Sequence, residues 1–464
     1  TTDVPGTGDQ IDVEYAVEEQ SSGSIGASIG FAQDAGLILG ANVQQDNFLG
    51  TGKQVGVGVS TSSYTDQINF NYMDPYYTVD GVSRGFNLYY ISRDLDEVNV
   101  ASYSVDSYGL DMNFGYPLSE IERLGFGVGY ANNHVKVGSS PAQEISGTPL
   151  YPDPALGYIT QSEFDDCFDN DSATLCSAAS KNWVNDGLTV VNPVYQGFLD
   201  RYGDTFSDIK LTGSWNQSTL NKARLATRGY SQNIALEGTA PGISDLEYWK
   251  ASYRGQYFKP ISDSLTLHFR GRFGYGDGYG GTDELPFFED FYGGGFGSVR
   301  GYKRNTLGPR STPARAYTYT VLPSGEVVYV SNAAGTALEA PISIDADDDP
   351  IGGNMILDGS MELIFPMPFV KDQSAMQPSV FLDAGNVFDS ECSSVYPGFN
   401  SGGYVYGTQP NCSNFELGEL RYSVGAGLTW ITGFGPLTFS VAKALNAGDD
   451  DETEVFQFSL GQNF

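Results

Sequence analysis

The chain has 464 residues and carries 24 Lys and Arg against 57 Asp and Glu, a formal charge of −33. That balance excludes a nucleic-acid binder, whose phosphate contacts need clustered cations. With only His134 and His268, a multi-histidine metal centre or histidine-based catalysis has little to build on. A transmembrane helix needs about 20 consecutive apolar residues, and no such window exists, whereas 58 Gly, 30 Tyr and 28 Phe favour β structure.

Residues 1–20 stand apart from the rest of the chain. DQIDVEYAVEEQ (9–20) alternates Ile11, Val13, Tyr15 and Val17 against mostly polar and acidic neighbours, the pattern of an edge strand in a small soluble domain. From residue 21 onward the alternation changes character. In SIGASIGFAQ (24–33), Ile25, Ala27, Ile29 and Phe31 alternate with Gly26, Ser28, Gly30 and Ala32. SYGLDMNFGY (107–116) sets Tyr108, Leu110, Met112, Phe114 and Tyr116 against Gly109, Asp111, Asn113 and Gly115. The same separation recurs in RLGFGVGYA (123–131), LTLHFRGRFGY (265–275) and RYSVGAGLTW (421–430).

A period of two is a strand with unlike faces. Two stacked soluble sheets would also show it, but these segments run nine or more residues, and a tilted strand crosses a bilayer in about 9–11. Aromatics gather toward segment ends (Tyr76, Tyr77, Tyr89, Tyr90, Tyr116, Trp430), as an interfacial girdle would. Backbone groups in lipid must all be paired, so such strands have to close on themselves. The prediction is an all-β protein, a 16-stranded antiparallel transmembrane β-barrel over residues 21–464. Its first eight strands lie near 22–33, 36–45, 53–62, 65–74, 82–93, 104–117, 123–137 and 203–219. The remaining eight lie near 226–240, 246–260, 264–277, 354–366, 378–388, 419–432, 436–446 and 455–464. Short connections (46–52, 74–81, 117–122, 432–436) belong to the periplasmic rim and long ones (near 138–202, 278–353 and 389–418) to the cell surface.

The four cysteines form two local pairs, Cys167–Cys176 and Cys392–Cys412, in polar surface loops; their spacing suits neither zinc nor a redox motif. Two loop-closing disulfides in an oxidising compartment are the reading that remains. The acidic runs DADDD (345–349) and DDDE (449–452) lack the spacing of a calcium loop and read as solvated surface segments. Glycine clusters at 276–281 and 293–297 lack the strand-to-helix context of a nucleotide loop. No catalytic constellation, metal site or cofactor is expected.

Seven stretches carry a family resemblance: QQDNFLGTG (44–52), DPYYTVDG (74–81), FGYGDGYGG (273–281), FEDFYGGGFGSVRGY (288–302), NTLGP (305–309), FGPLTFSVAKAL (434–445) and FQFSLGQNF (456–464). In this order, the chain resembles the BamA family of outer-membrane protein assembly factors over essentially its whole length. The resemblance implies a sixteen-stranded barrel preceded by periplasmic POTRA domains, with 1–20 holding the last strand of one. It also implies that a VRGF/Y motif, here Val299, Arg300, Gly301 and Tyr302, sits at the tip of the sixth surface loop and folds back into the lumen.

A guanidinium in such an interior needs carboxylates to offset its desolvation. Glu362 is opposite in phase to Met361, Leu363 and Phe365, and Asp383 to Val380, Leu382 and Ala384, so both face inward. The family pattern matches both as partners of Arg300, giving a predicted latch between loop six and the twelfth and thirteenth strands; the alternative is an arginine in solvent. Phe381 shares the inward phase of Asp383, against the pattern.

Closing the barrel pairs the first strand, with Gly23, Gly26 and Gly30, to the last, with Phe456, Phe458, Gly461 and Phe464. On the residues alone, ordinary barrel packing accounts for these glycines. The resemblance adds a lateral gate, a seam whose weak pairing leaves an edge to template incoming strands. It likewise makes the terminal Phe464 part of a C-terminal signal for barrel recognition. The implied function is a non-enzymatic insertase of the bacterial outer membrane. Its partners are outer-membrane lipids including lipopolysaccharide, unfolded β-barrel clients and accessory lipoproteins that act mainly through the POTRA domains. A two-partner-type secretion pore, which shares VRGY, and a passive porin are the competing readings.

Overall fold

The computed structural model describes residues 21–33, 35–138, 142–147, 197–311, 349–367, 375–390, 415–433, 435–448 and 451–461. It also describes four short strand pairs, 2–3 with 11–12, 152–153 with 157–158, 319–321 with 327–329, and 396–400 with 403–407. Both cysteine pairs and Phe464 lie outside the described residues, as does most of 1–20.

Sixteen strands close into one antiparallel barrel. They are β1 (Gly23–Ala32), β2 (Gly36–Gln45), β3 (Gln54–Thr61), β4 (Thr65–Asp74), β5 (Ser83–Asp94), β6 (Tyr103–Pro117), β7 (Glu122–Val137) and β8 (Thr205–Ser218). They continue with β9 (Gly229–Thr239), β10 (Tyr248–Pro260), β11 (Thr266–Gly278), β12 (Met355–Ile364), β13 (Met376–Phe388), β14 (Arg421–Thr432), β15 (Gly435–Ala444) and β16 (Phe456–Leu460). Each pairs with its sequence neighbours, and β16 returns to β1. The alternating sets separate as their chemistry requires. Ile25 is 86% exposed, Ile29 63% and Phe126 57%, on the outer wall, while Asn42, Asn69, Asn71 and Asn113 crowd against the glycines of neighbouring strands on the lumen face. A belt of exposed aliphatic and aromatic side chains on a closed barrel is the surface that lipid tails solvate.

The connections at the loop-rich rim are not uniformly long, as the expected strand bounds imply: β1–β2 and β3–β4 are joined by three residues each, 33–35 and 62–64, fewer than the opposite-rim turn 46–53. Among the described residues the last strand runs Phe456–Leu460, and the 462–464 part of the expected 455–464 lies outside them. Gly461 takes φ +81°, a left-handed conformation in which its added Cβ would meet the Gly30 Cα at 3.2 Å.

The lumen is filled from the loop-rich end. β6 and β7 extend to 15 and 16 residues, and their ends join the long loops in an apolar core of Tyr103, Phe198, Phe206, Leu246, Leu285 and Phe287. Phe287 packs edge-on against Tyr103 and Phe198, with centroids at 4.8 and 5.4 Å. At the opposite rim the 219–228 turn folds inward, burying Ala226 against Phe258 and Ile364. The Gln377 side chain of β13 donates to the Ala226 carbonyl at 3.3 Å.

Candidate functional site

The connection from β11 to β12 returns into the barrel and is held at three levels. At the first, Glu289 accepts from Lys210 of β8 at 2.8 Å, from Lys250 of β10 at 3.1 Å and from the Tyr248 hydroxyl at 3.1 Å. Burial pushes the Glu289 carboxyl up, but the two ammonium groups outweigh it and hold it far below the usual carboxylate range. At the second, Arg272 donates to Asp358 at 2.9 and 2.5 Å and to the Tyr292 carbonyl at 3.3 Å. The Ser298 hydroxyl reaches Asp358 at 2.8 Å. Arg270 donates to the Phe296 and Ser298 carbonyls at 3.1 and 3.0 Å.

The third level is Arg300. Register places Ser360 opposite Asp383 and Glu362 opposite Phe381 across β12–β13, so these four side chains form one patch on the lumen wall. The guanidinium lies on it. It donates to Asp383 at 2.7 and 2.8 Å and to Ser360 at 2.9 Å, and pairs with Glu362 at 2.6 Å. The Arg300 backbone N–H adds a bond to Asp383 at 3.1 Å. Phe381, the residue out of pattern, lies face-on beneath the cation, 3.4 Å from Cζ to ring centroid. The other oxygen of Glu362 meets His268 at 3.2 Å. Burial works against the charged guanidinium, but Asp383 and Glu362 overcome it and raise the Arg300 pKa.

The rest of the motif packs on the next strands. Gly301 has φ +91°, and a Cβ there would meet Ala442 and Ser423 side-chain carbons at 3.1 and 3.4 Å, so the close approach requires glycine. Val299 and Tyr302 are fully buried with Leu307. Burial raises the Tyr302 phenol to about 12, and its hydroxyl is within 3.5 Å of the Tyr422 carbonyl and 3.4 Å of Asn446 Oδ1. Beyond Arg300 the backbone pairs with the segment leading into β16: the Glu454 N–H donates to the Gly301 carbonyl at 3.0 Å and the Lys303 N–H to the Glu452 carbonyl at 2.9 Å. Half of the acidic 449–452 run is thereby engaged, with Asp451 on Arg421 at 2.5 Å and Glu452 on Lys303 at 2.9 Å. This departs from the reading of that run as merely solvated.

The seam is sparsely paired. Among the described residues the β16–β1 ladder consists of Ser459 with Ala32 and Leu460 with Phe31, whereas all ten residues of β1 pair with β2. Gly30 and Gly461 face each other there, and a Cβ on Gly30 would meet the Leu460 carbonyl at 3.0 Å. Gly23 and Gly26 lie outside this contact, against the Gln45 and Asn42 side chains of β2. On the outer face Phe31 stacks on Phe458 at 5.4 Å across the seam, and Phe456 lies 6.0 Å from Phe458. The sequence reading missed Ser360, the stacking role of Phe381 and the Glu289 and Asp358 anchors. The available signal was the set of charges in lumen phase: Lys210, Lys250, Arg272 and Asp358.

A closed sixteen-stranded barrel with an apolar belt and a surface loop ion-paired into its lumen is a bacterial outer-membrane β-barrel. The chain belongs to the Omp85 superfamily, whose domain profile matches residues 47–464. It is 32% identical over 465 residues to the outer membrane protein assembly factor BamA of Neisseria meningitidis serogroup B, covering 99% of this chain and 49% of that protein. The chain thus spans about half the length of this relative. The structure resembles the crystal structure of BamA from Haemophilus ducreyi lacking POTRA domains 1–3, with a TM-score of 0.68 and 26% identity over 95% of this chain and 70% of that one. CdiB from Escherichia coli matches at a TM-score of 0.50 and 12% identity, covering 96% of this chain and 63% of that one, a likeness of fold alone.

Proposed function

We propose that this barrel folds and inserts β-barrel proteins into the bacterial outer membrane by lending the edges of its β1–β16 seam to client strands. The observation that supports this reading most is the two-pair ladder at the seam, among the described residues, beside a fully paired β1–β2 ladder. An edge of unpaired N–H and C=O groups is a template for another strand, and in lipid every such group gains by being paired. The work needs no enzyme chemistry and no cofactor, because client folding supplies the free energy. The latch residues Val299, Arg300, Gly301, Tyr302, Glu362 and Asp383 would hold loop six in the lumen while the seam opens.

Residues 1–20 would contribute the last strand of a periplasmic POTRA domain. Accessory lipoproteins would engage chiefly POTRA domains outside this sequence, and lipopolysaccharide would surround the surface loops. A secretion pore of the two-partner type is the second reading, favoured by the VRGY motif at 299–302 that such transporters share. Reconstitution of the full-length protein in liposomes with an unfolded barrel client tests the proposal. Protein-dependent folding of the client into the bilayer is the expected result; a barrel that releases a soluble substrate across the membrane but leaves clients unfolded would sink it.

A further inference from the structure

The latch and the seam meet at one side chain. Glu454 lies just before β16, and its N–H and two carboxylate oxygens are each committed to a different element. Its N–H holds the Gly301 carbonyl at 3.0 Å. Its Oε1 accepts from Gln33, at the loop-rich end of β1, at 2.5 Å. Its Oε2 accepts from Gln457, the second residue of β16, at 3.1 Å. That same Gln457 nitrogen donates to the Tyr302 carbonyl at 2.9 Å. One carboxylate therefore bridges β1 and β16 across the seam while its backbone is fastened to the residue after Arg300.

We propose that Glu454 is a positioning residue that couples docking of the Val299–Tyr302 motif to closure of the seam. The inference builds on the reading of the seam as the working element of the barrel. Its physical basis is the scarcity of other bonds there. Where a ladder has ten pairs, one side-chain bridge adds little; where it has two among the described residues, a charge-assisted pair of hydrogen bonds is a large fraction of what the described contacts supply. The arrangement also has direction. Arg300 is fixed to β12 and β13 and Gly301 to Glu454, so release of the guanidinium removes one anchor of the backbone that orients the carboxylate. The ion pair of Lys303 with Glu452 runs alongside but is exposed on both sides, and such pairs are worth little.

The test is a distance across the seam, read by paired spin labels at Ile29 of β1 and Val441 of β15, both facing lipid, in full-length protein in liposomes. Glu454→Ala and, separately, Gln33→Ala should raise the open population about three- to tenfold, the range for the net loss of one solvent-exposed hydrogen bond. Gln33→Ala changes only an exposed turn, so it keeps the test decisive should Glu454→Ala fail to fold. Arg300→Lys should open the seam in the native background but add little once Glu454 is Ala, because the route between them is already cut. Unchanged distances in both single variants, or additive shifts in the double variant, would overturn the proposal. Client insertion is scored in parallel: a seam that opens as described without altered insertion supports the coupling and counts against the insertase reading instead.

Discussion

Asp383 receives three hydrogen bonds from a single residue, Arg300: from Nε at 2.7 Å, from Nη2 at 2.8 Å and from the backbone N–H at 3.1 Å. Glu362 takes one contact with the same guanidinium, at 2.6 Å, and shares its charge with His268. The two carboxylates are therefore unequal partners. Asp383→Asn leaves the buried arginine with Glu362 alone and should cost about 3–5 kcal/mol, the range for breaking a buried ion pair. Glu362→Gln should cost clearly less. Urea unfolding midpoints in detergent micelles, compared at constant slope, measure both; equal losses would contradict the geometry.

Gly30 and Gly461 approach closely enough that either side chain would have to displace backbone. Gly30→Ala should loosen the two-pair ladder without touching β1–β2, and should raise the frequency of brief openings in planar-bilayer recordings. Gly26→Ala is the control, since its Cβ would meet only the flexible Asn42 side chain. Indistinguishable recordings for the two variants would mean that the close contact does not govern the seam.

Glu289 gives the fold a pH dependence. Lys210 and Lys250 depress its carboxyl in the folded barrel, so its stabilisation is complete above the ordinary value of 4.5 and is lost progressively as the pH falls toward the depressed one. Glu289→Gln should lower stability at neutral pH by on the order of 3 kcal/mol, because it strips a partner from two lysines. The gap between variant and native protein should narrow below about pH 4.5. Thermal unfolding from pH 7 to pH 3 tracks both curves, and a gap that widens in acid would refute the assignment.

How much of this was legible in the residues depends on what alternation encodes. Period two fixes which face of a strand is apolar, so strand existence, strand number and the inward phase of Glu362 and Asp383 could all be read along the chain. Partnership across strands is a matter of register, which alternation leaves open. Ser360 and Phe381 could therefore not be placed beneath Arg300, although Phe381 declared itself by breaking the pattern. The seam was readable as a pairing of first and last strands, but its contact is specific: among the described residues Gly30 and Gly461 touch, whereas Gly23 and Gly26 lie against β2 side chains, and that depends on register.

If client strands enter through the β1–β16 seam, a covalent bond across it blocks them. Cysteines in place of Ala32 and Ser459, directly paired residues across it, sit at the antiparallel spacing a disulfide accepts. With that bond closed in the full-length protein, liposome insertion of an unfolded barrel client should stop, and reduction should restore it. Insertion that proceeds at the native rate through the locked barrel would contradict the account.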